Sequence, residues 1–593
     1  MKSRSLFSAY FWFLALGVFA VPAQAQSLEG IDEVIETAMA GWQVPGLAIA
    51  VIRDGDVLLA KGYGYRDVER QLPVTENTLF AIGSNSKSFT VTVLGMLVDE
   101  GKLDWDEPVQ TYMPDFQLYD DVATEHMTAR DLVTHRSGLP RHDGLWYGSD
   151  LSRYELYERL RYLEPNRDFR AVYQYQNLMF MTAGILAEKL GQDTWENLVR
   201  ERILNPLGMI RSNFSVNDMH PETEDAAVPY VMIEETRTKV PYRNIDNVAP
   251  AGSINSSVSE MIRYIQFHID TGAFEGEQLL SEATAADMQM PHMAIQGTLQ
   301  YDELGHGSYG MGLNVTSYRG EKVVQHGGGI DGFISAMSWM PRRKIGVMVL
   351  TNLSGTNPVP TIVVRAAYDR ALGLEPVDWI ARVKERQEEQ ERREEEAEEN
   401  EESDRIEGAS PSHPLEAYTG TFEHSGYGKL SVELSNGALE WTYHNITGAL
   451  EHYHYNVFET ADDPMNPLGG VKVVFRYNKR GIIDRIEVPL ESNVDDIVFV
   501  RAADEKLEDP SYLGQFVGVY ELAGQDGTIE LRGDVLTLIV SGQPPYRLVP
   551  TREMNFDIEG LSGFSIEFRK TGDSVSELVA HQPNGTFVAK RKQ

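Results

Sequence analysis

Three short clusters combine residue types that can do chemistry. The first is Ser84-Asn85-Ser86-Lys87, inside the stretch Phe80–Phe89. From Asn85 to Glu100 the apolar residues Phe89, Val93, Met96 and Leu97 fall on one helical stripe, and Gly101 supplies a stop. Ser84 therefore sits at or just before a helix N-terminus, with Lys87 three residues on and on a neighbouring position of the same face. A serine hydroxyl is a poor nucleophile until a base takes its proton, and a lysine whose pKa is pushed down by burial and nearby cations can be that base. The helix N-terminus also directs its dipole and free N–H groups at negative charge developing near the serine. Taken alone, Ser-x-x-Lys is a loose pattern in which Ser84 caps a helix and Lys87 is solvated.

The second cluster is Tyr173-Gln174-Tyr175-Gln176-Asn177, leading into a helix over Leu178–Leu190. Tyr-x-Asn in an extended segment puts the Tyr175 phenol and the Asn177 carboxamide on one side. Phenolate next to a lysine cation can accept a proton, and the amide can hold both the lysine and a substrate carbonyl. The third is Gln325-His326-Gly327-Gly328-Gly329 at a strand end. Glycines there let a substrate backbone come close and leave N–H groups free to donate, and His326 adds a group that titrates near neutrality.

These clusters must be held by larger elements. Ile31–Ala40 reads as an amphipathic helix, and Leu47–Gly62 as a hairpin of two apolar runs around Asp54-Gly55. Helical signals return over Ser257–Ile269, with Ser257 or Ser259 as cap. Strands follow at Lys322–Gln325, Phe333–Met340 and Ile345–Leu350, then a closing helix at Pro360–Leu372. Strands at both ends with helices between predict an α+β domain: one antiparallel sheet flanked by helices, with a helical insert. From Arg382 to Glu407 there are 13 acidic and 6 basic residues and almost nothing apolar, a solvated helix or a disordered strap. Beyond it short alternating strands dominate. Tyr418–Glu423 aligns with Phe516–Glu521, so residues 413–503 and 510–593 read as two similar halves, closing together into one β-barrel of about eight strands. His452 and His454 alternate on a strand without a third ligand at sensible spacing, which makes them surface or barrel-lining residues.

Composition narrows the function classes. The chain has 593 residues, too many for one core, and a formal charge of −36. Lys2 and Arg4 precede an apolar run from Leu6 to Val21 and an Ala23-Gln24-Ala25 cleavage site, so residues 1–25 read as a secretory signal and the mature chain is periplasmic or secreted. No other segment is long and apolar enough to span a membrane. So acidic a protein repels nucleic acid and anionic membrane surfaces. It has no cysteine, which excludes disulfides, thiol chemistry and thiolate metal sites. There is no Gly-x-Ser-x-Gly elbow.

In this order the three clusters resemble the serine β-lactamase and penicillin-binding protein superfamily. The likeness is to its class C β-lactamase-like branch, with D-aminopeptidases, D-Ala-D-Ala carboxypeptidases and esterases. Thr128–Pro140, Asn205-Pro-Leu-Gly-Met209 and Pro250-Ala-Gly-Ser253 look like the same branch, and the resemblance covers roughly residues 28 to 375. The C-terminal region is similar to lipocalin-like barrels that some members carry. Domain limits follow: a hydrolase domain over 26–380, a charged linker over 381–412 and barrel sequence over 413–593.

The resemblance implies Ser84 as the acylated nucleophile, Lys87 and Tyr175 as a shared proton relay, and Asn177 as the group orienting Lys87 and the substrate amide. His326, Gly327 and Gly328 would occupy the substrate-binding strand, and the N–H groups of Ser84 and Gly329 the oxyanion hole. It implies no metal or organic cofactor. Many relatives carry Lys-Thr-Gly or Lys-Ser-Gly on this strand, where the cation anchors a substrate carboxylate. His326-Gly327-Gly328 weakens such capture and moves the reading toward D-aminopeptidase-like turnover of short peptides or peptide-like amides. A carboxylesterase or weak β-lactamase is the alternative on the same fold. A non-catalytic penicillin-binding or sensor protein is the alternative of another class. Self-association is left open.

Overall fold

A computed structural model describes residues 28–592 apart from 401–404, 462–467 and the single positions 504, 508, 523 and 553. The signal segment read over 1–25 lies outside the described residues. Among those described, no helix is long and apolar enough to cross a membrane.

The N-terminal domain is built on a nine-stranded sheet in which every pairing is antiparallel. Its centre runs Glu321–Ile330, Phe333–Met340, Ile345–Thr351, Gly46–Arg53 and Asp56–Asp67, so N- and C-terminal segments lie side by side. The Asp54-Gly55 hairpin forms as the sequence predicts, with both turn residues at positive φ. That conformation suits the right-handed twist of the two strands. Gly46–Arg53 is buried along almost its whole length because both faces of the sheet are covered. Leu47, Ile49 and Val51 pack with Ile35, Ile362 and Val363 from the Ile31–Gly41 and Val359–Leu372 helices. Ala48, Ala50 and Ile52 belong to the other core, with Phe89, Tyr264 and Ile265.

The helix carrying Lys87 spans Ser86–Asp99 and differs from its single-stripe reading. Residues from Ser86 to Leu97 are buried all round it. Thr90 and Thr92 make this tolerable by donating to the Pro250 and Ser88 carbonyls. The Val258–Ile269 helix starts where expected, but Ser257 makes no side-chain cap bond and its hydroxyl pairs with Ser259 instead.

One reading is corrected. Residues 413–593 form two barrels: Gly420–Arg501 and Gly518–Arg591 each contain eight antiparallel strands and each closes on itself. Eight strands per half exceed the sequence reading, which does not include Gly420–His424, Ile446–His454 and Val457–Thr460 in the first barrel or Gly518–Leu522, Asn555–Ile558 and Ser574–Gln582 in the second. Several of these are short, or are interrupted by bulges and glycine, which hides the period of two. The first barrel's interior joins the core of the N-terminal domain through Tyr427, Tyr443 and Leu490, whereas the second has its own core around Phe516, Phe556 and Phe568. Trp379–Asn400 is helical, the first of the two readings of the charged run.

Candidate active site

Ser84 lies on a tight turn, Gly83–Asn85, that feeds the Ser86–Asp99 helix. The turn is pinned from two sides. Asn85 Nδ2 donates to Ser335 Oγ at 2.7 Å, and Ser335 Oγ donates to the Ile82 carbonyl at 2.8 Å. Ser86 Oγ bonds the Gly83 carbonyl and accepts from Ile254 N–H at 3.0 Å. Gly83 has φ +54°, and a Cβ there would stand 2.7 Å from the Gly329 nitrogen. The Ser84 turn and the Glu321–Ile330 strand are thus in backbone contact, which brings the Gly329 amide against Gly83, next in the chain to Ser84.

Lys87 is fully buried, and its Nζ meets three oxygens: Ser84 Oγ at 3.0 Å, Asn177 Oδ1 at 2.7 Å and the Ala251 carbonyl at 2.8 Å. Burial, with the Arg141 cation adding to it, holds its pKa well below that of an ordinary lysine, while Asp143 pulls the other way. Tyr175 lies beside Ser84, and its ring centroid is 4.7 Å from Lys87 Nζ. Burial raises its pKa, against a smaller lowering by Ser84, so the phenol keeps its proton at neutral pH. Of this pair, the amine is the group that can accept a proton from Ser84.

Asn177 is oriented from behind. Its Nδ2 donates to Asp143 Oδ1 at 3.0 Å, and the same oxygen accepts from Trp146 Nε1 at 2.8 Å. Asp143 Oδ2 takes the Arg141 guanidinium at 2.5–2.6 Å, and Arg141 in turn stands 5.1 Å over the Tyr175 ring. The sequence reading missed Arg141 and Asp143; the signal was a charged triplet, Arg-His-Asp, directly after Gly138-Leu-Pro140. It also missed His135, which lies in the Thr128–Pro140 segment with its ring 4.3 Å from Tyr175 and its Nδ1 accepting from Gln176 N–H.

The strand residues depart from expectation. His326 is buried: its Nδ1–H donates to the Gly327 carbonyl at 2.6 Å, and its Nε2 accepts from the Tyr309 hydroxyl at 3.0 Å. Burial, reinforced by Lys87, pushes its pKa down to about 3, so it does not titrate near neutrality as its type alone suggests. A Cβ on Gly328 would fall 1.9 Å from the Ile82 carbonyl, so that glycine admits the Ser84 turn rather than a substrate. Gly327 has no such neighbour; its nearest is the Ser335 carbonyl, 3.7 Å away.

The first barrel packs against the segment that carries Arg141 and Asp143. Glu491 accepts the His142 N–H at 2.8 Å, Tyr427 donates to His142 Nδ1 at 2.7 Å, and Tyr443 donates to the Gly144 carbonyl at 3.0 Å. A cavity of about 540 Å³ lies between Arg141–Tyr147, Gly329–Asp331 and barrel residues including Tyr443, Leu490 and Glu491. Among the described residues no cluster of three potential metal ligands occurs.

Comparison with known proteins gives concordant results. Residues 31–371 match the model of the Beta-lactamase family, and 404–501 match a domain of unknown function, DUF3471. The chain is similar to unguisins hydrolase ungD' of Aspergillus campestris, at 30% identity over 424 residues, covering 68% of this chain and 76% of that one. It is 24% identical to protein flp of Staphylococcus aureus over 57% of this chain and 65% of the other. In fold it is similar to an octameric penicillin-binding protein homologue from Pyrococcus abyssi, with TM-score 0.52 and 24% identity over 79% of this chain and 99% of that one. With the family model matched over more than half of its length and a hydrolase at 30% identity, this chain belongs to the beta-lactamase family of serine hydrolases.

Proposed function

We propose that the protein is an exported serine hydrolase that forms an acyl-enzyme on Ser84, acting on short peptides or peptide-like amides in the manner of a D-aminopeptidase or carboxypeptidase. The observation that carries this reading is the burial of Lys87 with its Nζ against Asn177 Oδ1 and the Ala251 carbonyl and with Ser84 Oγ at 3.0 Å. Neutral Lys87 takes the Ser84 proton as Oγ attacks the carbonyl carbon. The oxyanion is met by the N–H groups of Ser84 and Gly329. The proton then passes from Lys87, by way of the Tyr175 hydroxyl, to the leaving nitrogen, and the C–N bond breaks. Water, deprotonated by the same relay, cleaves the ester and returns the proton to Ser84.

His326 supports an amide or peptide bound without carboxylate capture, because a buried neutral ring offers no cation to the cleft. The barrel residues lining the cavity beside Gly329 support small substrates. The experiment is labelling with an active-site serine phosphonate, adduct mapping, and a panel of D-amino acid anilides, p-nitrophenyl esters and a chromogenic cephalosporin. Label on Ser84 with anilide turnover is expected, and Ser84→Ala and Lys87→Ala each lower turnover by more than about 10³-fold. Label elsewhere removes the mechanism, and turnover confined to esters moves the assignment to a carboxylesterase.

A further inference from the structure

On the face of the sheet away from Ser84 lies a second cavity, of about 560 Å³, between the Asn314–Met340 strands, the Val359–Leu372 helix and residues 295–307. Its size falls within the range of small-molecule sites. The lining is mostly apolar, with Ile334, Val364 and Tyr368 among its walls, and its floor includes the bare backbone of Gly327 and Gly329. One charged side chain opens into it. Arg365 stands 4.5 Å over the Trp379 ring and 5.7 Å over Tyr301, and among the described residues it has neither a hydrogen-bond partner nor a carboxylate partner.

The acids nearby are engaged elsewhere. Glu303 is held by Arg382 at 2.8 Å, and Asp369 by Arg319 at 3.0 Å and the Tyr318 hydroxyl at 2.7 Å. A half-buried guanidinium with no carboxylate in contact among the described residues is costly, and burial lowers its pKa although Glu303, at longer range, pulls the other way. An anion in the cavity would meet a planar donor pre-organised by stacking.

We propose that this cavity is a second small-molecule site, for a monocarboxylate with an apolar tail, whose head pairs with Arg365 and whose tail lies along the back of the Glu321–Ile330 strand. The site is separate from the Ser84 cleft and does not depend on the substrate assigned there. A fatty acid and an N-acyl amino acid present the same chemistry. Decanoate stands for the first and N-octanoylglycine for the second, each titrated calorimetrically into the full-length protein.

Binding of at least one of them at submillimolar concentration is expected, with decanol much weaker. Arg365→Met, which keeps the packing on Trp379, weakens binding by at least about tenfold, the worth of one charge-assisted contact. Arg365→Lys keeps most of it. Thr361→Phe, at an exposed lining position, fills the cavity and abolishes binding while leaving the Ser84 cleft untouched. It also keeps the test decisive if Arg365→Met fails to fold. No binding of either acid at millimolar concentration, or binding that both Arg365→Met and Thr361→Phe leave unchanged, overturns the proposal.

Discussion

At Lys87 the acceptors are fixed before any substrate arrives, and two charges of opposite sign outside the first contacts set how readily the amine loses its proton. Arg141 lowers its pKa and Asp143 raises it. Removing each charge should therefore move activity in opposite directions. Asp143→Asn leaves the protonated lysine less stabilised, so the acid limb of kcat/KM moves to lower pH. Arg141→Gln relieves a repulsion and moves it to higher pH. A pair of pH–rate profiles checks this, and a purely structural role for the two residues would shift neither limb. A second residue-scale prediction concerns His268, whose ring is fully buried, stacked on Trp339 with centroids 5.3 Å apart, and whose two nitrogens meet no partner among the described residues. Burial pushes its pKa down to about 3, against about 6.5 in the unfolded chain. Between these values the unfolded state binds the extra proton, so stability is fully present above pH 6.5 and is lost as pH falls toward 3. His268→Phe should flatten the urea-midpoint profile below pH 5.5 by about 1.4 kcal/mol per pH unit. The gathering of Ser84, Lys87, Tyr175 and Asn177 was legible as residue types at fixed spacing. The burial of His326 was not, because its Tyr309 partner and its enclosure are properties of packing rather than of the motif.

Among the elements, the contact between the Ser84 turn and the Glu321–Ile330 strand is what brings the Gly329 amide against Gly83. The run of glycines at 327–329 reads in sequence as one flexible substrate-facing edge. In the fold the three positions differ, because successive residues of a strand face opposite sides. Gly328 faces the Ile82 carbonyl at a distance that no side chain can share, whereas Gly327 faces open space on the other side. Gly328→Ala is therefore expected to push the strand off the turn and lower kcat by at least about 100-fold, as the loss of an oxyanion donor does. Gly327→Ala should stay within about threefold, the effect of a substitution without a clash. Kinetics of the two variants, beside circular dichroism to confirm folding, separates the positions. The same alternation explains what the sequence disclosed of the sheet. Ile345–Thr351 and Phe333–Met340 are long apolar runs and were read nearly to the residue. Strands such as Val457–Thr460 are too short to show a period.

Over the whole molecule, the two barrels look alike in sequence yet are attached differently. The first shares its core with the catalytic domain and fastens the Arg141–Gly148 segment through Glu491, Tyr427, Tyr443 and the Asn445 N–H to Gly148 carbonyl bond at 3.1 Å. That segment carries Arg141 and Asp143, the groups behind Asn177, and an effect of the barrel on turnover is expected to run through them. The second barrel closes around its own core and meets the first through an exposed Arg480–Asp557 pair at 3.6 Å, a contact worth little in water. Sequence similarity between the halves could reveal a duplication but not this asymmetry, which depends on which barrel end meets which loop. A chain ending at residue 503 should therefore keep kcat and KM within about twofold and lose a separate unfolding transition, since independent cores unfold as independent units. Breaking the first barrel's hold by Glu491→Ala with Tyr427→Phe should instead lower kcat/KM by about 10-fold or more, the worth of two buried hydrogen bonds, one of them to a charged group. It should also widen the range of substrate sizes accepted, as steady-state rates across a series of peptides of increasing length would record. If the truncated chain lost activity and the double variant kept it, the second barrel rather than the first would be the one coupled to the site.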